Sequence, residues 1–376
     1  MKVGLLGFTT TNLGDDLQAI ATSLHLPRVD RLIDWEKLAD ARFEAPHFTI
    51  MQSWFTRQWF RPPSASIDPT YFAFCVGKPE MKRGLWPRHL RAHQPIGARD
   101  HETMKRLAAM GVESFWSGCL TLRIGSFLEP VPAEERRGVY FVDLHPEAER
   151  LVPEAIRARA IRISNEVPPA MRTDPLARMA RAAEIADRLR RAELVVTRRL
   201  HTALPCVGFR TPVALIISGT AHDSNINRFS GFEDFATIRY YGTGVETPAI
   251  DWERLGAATI PAELDARWNA LKTTVAAKVG ATTWTPAKSL ARRDVVVLPN
   301  PGLGVETGRV VIDMGMARVE RVPQLALLRR PRHLRGDARR GRLDGAGATH
   351  HAGRQDLGVD VPARRRVSAG KARPTG

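Results

Sequence analysis

Val195-Val196-Thr197-Arg198-Arg199-Leu200-His201-Thr202-Ala203 is a short apolar run that turns into two arginines and a histidine. An extended strand that delivers cationic side chains to the start of a helix makes a site for a small anion. The unpaired N–H groups and dipole of the helix add to the side-chain charge. Phosphate or carboxylate chemistry follows from that combination. Other polar groups stand behind apolar runs in the same way: Asn12, Gly14 and Asp15 after residues 3–8, Arg99 and Asp100 after residues 95–98, and the stretch 218–227 after residues 213–217.

These groups need strands and helices to position them. Val3-Gly4-Leu5-Leu6-Gly7-Phe8 reads as a buried strand and residues 16–26 as a helix, with Leu17, Ile20 and Leu24 at helical spacing. Strands are expected at 48–54, 71–76, 95–98 and 112–115, with a helix over 100–110 that stops at Gly111. Pro130-Val131-Pro132 reads as a linker. Beyond it, strands are expected at 138–144, 160–164, 194–197 and 213–217, and helices at 148–159, from Asp174-Pro175 onward, near Leu200, and at 262–279. Asp174 suits an N-cap and Pro175 a first helical turn, while Leu176, Met179, Ala183, Ala186 and Leu189 share one helix face. Repeated strand–helix units with nearly continuous apolar strands predict an α/β fold with parallel sheets covered on both faces. Two such series predict two Rossmann-like domains facing each other, over residues 1–130 and 131–283. In open α/β sheets the ligand lies beyond the carboxyl ends of the strands, where the polar groups above fall.

Composition sets the bounds. The 376 residues, 43% hydrophobic and 26% charged, suffice for a large core. Cys75, Cys119 and Cys206 lie far apart, which argues against a zinc site or a disulfide framework and fits a reducing cytoplasm. No apolar run approaches the roughly 20 residues needed to cross a bilayer, so membrane contact is expected to be peripheral. The net charge of +16 suggests nucleic acid, yet residues 321–376 hold 14 Lys and Arg against 4 Asp and Glu, leaving 42 against 36 elsewhere. Most of the excess sits in a Gly-, Ala- and Pro-rich stretch without Phe, Trp or Tyr, so a disordered basic tail over 284–376 is expected, and a non-catalytic nucleic-acid binder acting through that tail is the least favoured alternative function. A second cluster, Trp54, Phe55, Trp59 and Phe60 with Arg57 and Arg61 among them, reads as a stacking surface for a sugar, as a patch at a membrane surface, or as a partly buried loop plug.

Thr11-Asn12-Leu13-Gly14-Asp15-Asp16, then Gly97-Ala98-Arg99-Asp100-His101-Glu102-Thr103 with Leu107 and Gly111-Val112, then Val195 through His201 with Pro212-Val213, resembles in order and spacing the polysaccharide pyruvyl transferase family. The resemblance covers roughly residues 1–245. It implies a GT-B-like pair of domains and transfer of a pyruvyl group from phosphoenolpyruvate to two hydroxyls of a sugar, as a cyclic ketal, in exopolysaccharide and cell-envelope biosynthesis. It also implies a cytoplasmic enzyme, at the inner face of the membrane where the acceptor is lipid-linked. No cofactor and no metal is expected, only phosphoenolpyruvate as donor and a sugar or lipid-linked saccharide as acceptor.

The residue types suit that chemistry. Phosphoenolpyruvate carries a carboxylate and a phosphate, and Arg99 and Arg199 are candidate forks, with Arg198 and Leu200 beside them. His201 is the candidate general acid, and Asp15, expected at a loop apex, the candidate base or hydroxyl orienter. Asn12 and Gly14 are candidates for the acceptor side. Arg198 stands where relatives often carry serine, and in residues 222–229, where relatives often carry lysine, Arg228 is the one cation. Each group has a structural alternative: Arg199 as an interdomain bridge, His201 as a capping residue, Arg99-Asp100 as an internal ion pair, and Asn12-Gly14-Asp15 as a turn and N-cap. A nucleotide-sugar glycosyltransferase of the same shape, with Arg199 and His201 on a diphosphate, is the alternative enzyme.

Overall fold

The computed structural model describes residues 1–55, 61–77, 81, 84–218, 227–242 and 249–280, with the backbone of two further strands. The described residues lie within one compact unit, Met1–Arg329. Apart from those two strands, Arg292–Val297 and Gly308–Asp313, which pair antiparallel, the expected tail over 284–376 lies outside the described residues, as do Arg57, Trp59, Phe60 and residues 222–226.

Two parallel sheets organise the chain, which is the α/β architecture expected. The first is built from β1 (Lys2–Gly7), β2 (Arg31–Asp34), β3 (His47–Phe55), β4 (Ile67–Val76), β5 (Ile96–Ala98) and β6 (Ser114–Trp116), in the order β2-β1-β3-β4-β5-β6. The second contains β7 (Val139–Val142), β8 (Ala160–Ile163), β9 (Leu194–Thr197), β10 (Val213–Ser218) and β11 (Thr237–Tyr241), in the order β11-β10-β9-β7-β8. Both wind in the same sense: the first strand of each series lies inside, its second strand lies on one side and its third on the other. β1 therefore pairs with β2 through Gly4↔Arg31 and with β3 through Lys2↔His47. In the second sheet β7 pairs with β8 through Val139↔Ala160 and with β9 through Val139↔Leu194. Each sheet thus has a switch point, between β1 and β3 and between β7 and β9, and a crevice opens at the carboxyl end of such a pair.

Strand side chains alternate between faces. In β9, Val195 joins the core shared with the first sheet, while Val196 joins a smaller cluster with Val139, Phe141, Ala214 and Ile216 on the other face. Between the sheets lie α1 (Leu13–Ser23), α6 (Pro175–Arg190), α7 (Leu200–Gly208) and a 3-10 helix over Leu120–Phe127. Glycines bring the 3-10 helix and α7 into backbone contact. A Cβ on Gly125 would stand 1.9 Å from the Gly208 carbonyl oxygen, and one on Gly208 would stand 2.5 Å from that of Leu122. The remaining helices are α2 (Leu85–Ala92), α3 (His101–Ala108), the short α4 (Pro146–Glu149) and α5 (Glu154–Arg157), and α8 (Ala262–Val279). The last packs on the first sheet's side, where Trp268 Nε1 donates to Ser117 O at 3.0 Å and Lys278 pairs with Asp68.

Several boundaries differ from expectation, each for a local reason. Helix α1 begins at Leu13 rather than 16, because Asn12 caps it by accepting from the Gly14 N–H at 3.1 Å. The helix expected over 148–159 is two short ones interrupted at Pro153, which has no N–H to continue the first. Helix α6 starts as expected, Asp174 accepting from the N–H groups of Leu176 and Ala177, and its five apolar positions are all buried. No helix of the described residues is long and apolar enough to cross a membrane.

Candidate active site

Both switch points feed one cluster. After β1 the chain reaches Thr10, Asn12 and Asp15; after β7, Asp143; after β8, Asn165 and Glu166; after β9, Arg198 and Arg199. The two sheets' loops join directly: Asn12 forms an antiparallel bridge with Glu166, Leu13 N donates to Asn165 O at 2.7 Å, and Val167 N donates to Thr11 O at 2.8 Å. Below this seam, a Cβ on Gly14 would come within 2.9 Å of the His201 Cβ. Gly14 is thus the residue that lets α1 approach the start of α7, and the structure gives it a packing role beside the site.

A buried ion pair staples α1 to α6. Arg178, 1% exposed at its side chain, donates from Nε and Nη2 to Asp16, the shortest contact being 2.8 Å, and from Nη1 to Thr10 O at 2.7 Å. Asp15, the neighbour, lies in the first turn of α1 and not at a loop apex, since the helix starts two residues earlier. Thr10 Oγ1 donates to Asp15 Oδ2 at 2.6 Å and Gln18 Nε2 to its Oδ1 at 3.1 Å. Burial raises the Asp15 pKa, against the Thr10 hydrogen bond and the charges of Arg178, Arg99 and Arg228.

The arginines differ in how fully they are used. Arg99 is 1% exposed, and its guanidinium is taken by Asp100 at 3.1 Å and by Cys75 Sγ at 3.0 Å. Its Nε and Nη2 are thus committed within the fold. Asp100 is at once the counter-ion and the N-cap of α3, accepting from the Thr103 N–H at 2.8 Å. Arg198 donates to the Asp143 carbonyl oxygen at 2.6 Å. Arg199 is partly exposed and pairs with Asp143 at 2.9 Å and Glu166 at 3.2 Å. Leu200 is buried in the core, so only its backbone, at the start of an α7 that carries no side-chain cap, is offered to an anion.

Asp143 organises this side from a left-handed backbone (φ 50°), a conformation an aspartate tolerates better than most residues. Its carboxylate accepts from Ser164 Oγ at 2.6 Å, from Asn165 N at 3.1 Å and from Arg199. Asn165 in turn donates to Thr202 Oγ1 at 2.6 Å, tying the loop after β8 to α7.

Among the described residues, His201 and Arg228 each hold a buried nitrogen without a partner. His201 is 9% exposed and its Nε2 makes no hydrogen bond. Burial and the charges of Arg99 and Arg228 hold its pKa well below the ordinary value, so the imidazole is neutral near pH 7, not the imidazolium expected of a resting general acid. Arg228 lies over the rings of Trp54 and Phe229, each 5.0 Å away, and its buried Nε is likewise unpaired. Burial, then the charges of Arg99 and Arg199, push its pKa down to about 10. An excess of positive charge over accessible counter-charge is what a site for an anion requires.

Sequence reasoning picked out His201, the three arginines and Asp15, but not the roles of Asp143, Glu166, Thr10 and Arg178. No local signal marks these, because their partners lie up to 168 residues away. For Trp54 the finding is a guanidinium over the ring rather than a free face.

Residues 71–219, from within β4 to the end of β10, match the polysaccharide pyruvyl transferase family model. This is a transferase family. The match takes in the Arg99-Asp100 and Arg198-Arg199-Leu200-His201 positions together with Asp143 and Glu166. No match is found among curated proteins or solved structures.

Proposed function

We propose that the chain transfers a pyruvyl group from phosphoenolpyruvate to two hydroxyls of one sugar, in a polysaccharide or its lipid-linked precursor, and releases phosphate as a cyclic ketal closes. The observation that carries this reading is the unbalanced cationic centre: Arg228 with a bare Nε and a depressed pKa, beside a neutral, unpartnered His201, in a chain that matches a pyruvyl transferase model.

In this reading the donor's carboxylate and phosphate divide between Arg228 and the Arg199 side, with the uncapped start of α7 contributing N–H groups. Arg99 supplies charge without contact. A bound donor of two or three negative charges reverses the field at His201 and raises its pKa, so the imidazolium forms with the donor in place. His201 then protonates the methylene carbon as a sugar hydroxyl attacks the central carbon. Phosphate leaves, a second hydroxyl closes the ring, and the two hydroxyl protons end on the methyl group and on phosphate. Asp15, its carboxyl pKa already raised, orients or deprotonates the attacking hydroxyl. Asn12 and Gly14 border the acceptor side, and the scheme asks for no further cofactor. We read the two sheets as the facing Rossmann-like domains of a GT-B-like enzyme, 1–130 and 131–283. A lipid-linked acceptor would bring it to the inner face of the membrane through peripheral contact.

A ligand that binds only the folded state stabilises it, by about 2.7 kcal/mol at one hundred times its Kd. Phosphoenolpyruvate is expected to raise the melting temperature of the full chain, and nucleoside-diphosphate sugars are not. The reverse pattern would assign the site to a glycosyltransferase.

A further inference from the structure

One cavity outside the cationic centre combines aromatic faces with unpaired charge. It has a volume of about 610 Å3, within the roughly 300–1,000 Å3 of small-molecule sites, and lies between β6, α3 and the first turns of α8. His101, Phe115 and Trp116 form its apolar wall, and Lys105, Glu263 and Arg267 its rim.

The wall is built to expose ring faces. Phe115 and Trp116 end β6, the edge strand of the first sheet among the described residues, and both are half-buried, Phe115 beside Phe72 at 5.9 Å and Trp116 beside Phe235 at 6.4 Å. The indole N–H of Trp116 is already committed to Arg99 O at 3.2 Å, which leaves the ring surface, not its polar edge, to a ligand. His101 meets Trp116 edge-on with centroids 4.8 Å apart. Behind it, Gly231 (φ 91°) lets the backbone of residues 229–232 lie against the His101 ring, where a Cβ would come within 3.0 Å. Ser230 completes the support, its carbonyl accepting from His101 N and its hydroxyl from Glu102 N.

The rim supplies both signs of charge. Arg267 lies over the Phe115 ring at 4.9 Å, which fixes its guanidinium beside the wall. Among the described residues, Lys105, Glu263 and Arg267 form no ion pair with each other or with any other group. An aromatic wall under a rim of donors and a carboxylate acceptor suits a pyranose ring, whose C–H face is apolar and whose periphery is hydroxyls. A flat apolar ligand would leave the rim unused, and a small anion would leave the wall unused.

Position links this cavity to the centre. Ala98 and Trp116 are register partners at the carboxyl ends of β5 and β6, and Arg99 follows Ala98 directly. We propose that the cavity walled by Trp116 and rimmed by Lys105, Glu263 and Arg267 is a saccharide subsite that holds a pyranose residue of the glycan acceptor other than the one being modified. The assignment rests on the glycan-acceptor reading above for its purpose, but not for its chemistry.

Saturation-transfer NMR on the full chain tests it, with methyl glucopyranoside, galactopyranoside and mannopyranoside as probes. At least one is expected to receive saturation at its ring C–H protons, with the signal reduced fivefold or more in Trp116→Ala and retained in Trp116→Phe. Should Trp116→Ala fail to fold, Lys105→Ala/Arg267→Ala, which alters exposed side chains alone, is expected to weaken the signal threefold or more. Absence of transfer to all three probes, or an unchanged signal in the variants, overturns the subsite. Stabilisation by phosphoenolpyruvate is scored separately: a Trp116→Ala protein that loses the pyranoside but is still stabilised by phosphoenolpyruvate supports both assignments. A pyranoside signal without any phosphoenolpyruvate effect keeps the subsite and overturns the donor.

Discussion

His201 shows how far a residue's chemistry depends on groups that sequence does not place beside it. The run of arginines and histidine marks an anion site, but the resting state of the imidazole is set by burial and by Arg99 and Arg228. An ordinary histidine titrates near pH 6.5. Between that value and the lower one in the folded protein, the unfolded chain binds a proton that the folded chain does not. The resulting stability is therefore complete above about pH 6.5 and is lost as pH falls through the window. His201→Gln removes this contribution. Urea unfolding at pH 7.5 and 5.5 is expected to show a smaller loss on acidification in the variant, by at most about 1.4 kcal/mol per pH unit. Equal losses in both proteins would mean that His201 binds its proton as readily in the folded protein as in the unfolded chain. The arginines teach the complementary lesson. Arg99 looked like a fork in sequence and is a buried ion whose Nε and Nη2 are committed to Asp100 and Cys75, whereas Arg228 holds a buried Nε without a partner among the described residues.

Among the elements, α1 and α6 bear most directly on the site, because their contact fixes the loop after β1 against the second sheet. Arg178 and Asp16 are both buried, and Arg178 also satisfies Thr10 O. Removing one partner of a buried pair leaves an uncompensated charge and costs about 3–5 kcal/mol. Arg178→Ala is expected to lower unfolding stability by that amount in chemical denaturation. A loss under about 1 kcal/mol would show the pair to be solvated. Much of the element pattern was legible: β9, α6 and α8 were read from the sequence, α6 with Asp174-Pro175 as its start signal. The strands β2 and β11 were not, since Arg31–Asp34 is four residues ending in a charge and Thr237–Tyr241 alternates weakly. The pairing of Asn12 with Glu166 was illegible for a different reason, as two loops 154 residues apart carry no periodic signal of meeting.

For the whole molecule, the similar winding of the two sheets is what brings two switch points to one cluster. Strand order is a property of long-range pairing, so the apolar runs announced two series of strands without announcing the shared order. The charge excess, in contrast, is a sequence property: 14 of the 56 Lys and Arg lie in residues 321–376, with too little apolar content to build a core. Removal of residues after 322 is expected to leave solubility unchanged and melting temperature unchanged within about 1 °C, a margin below the roughly 1.5 °C that 1 kcal/mol gives a chain of this size. Insolubility of the shortened chain would reveal a structural part in that stretch.

The central claim is that phosphoenolpyruvate binds where the two sheets' carboxyl edges meet, on the cation with an unpaired Nε. Isothermal titration of phosphoenolpyruvate into the full chain and into Arg228→Ala tests it most directly. A charge-assisted hydrogen bond contributes about 1.5–3 kcal/mol, so the variant is expected to bind roughly 10- to 150-fold more weakly, with Lys105→Ala unchanged as the control. Equal affinity in the Arg228→Ala and unmodified proteins, or no binding to either, would contradict the account.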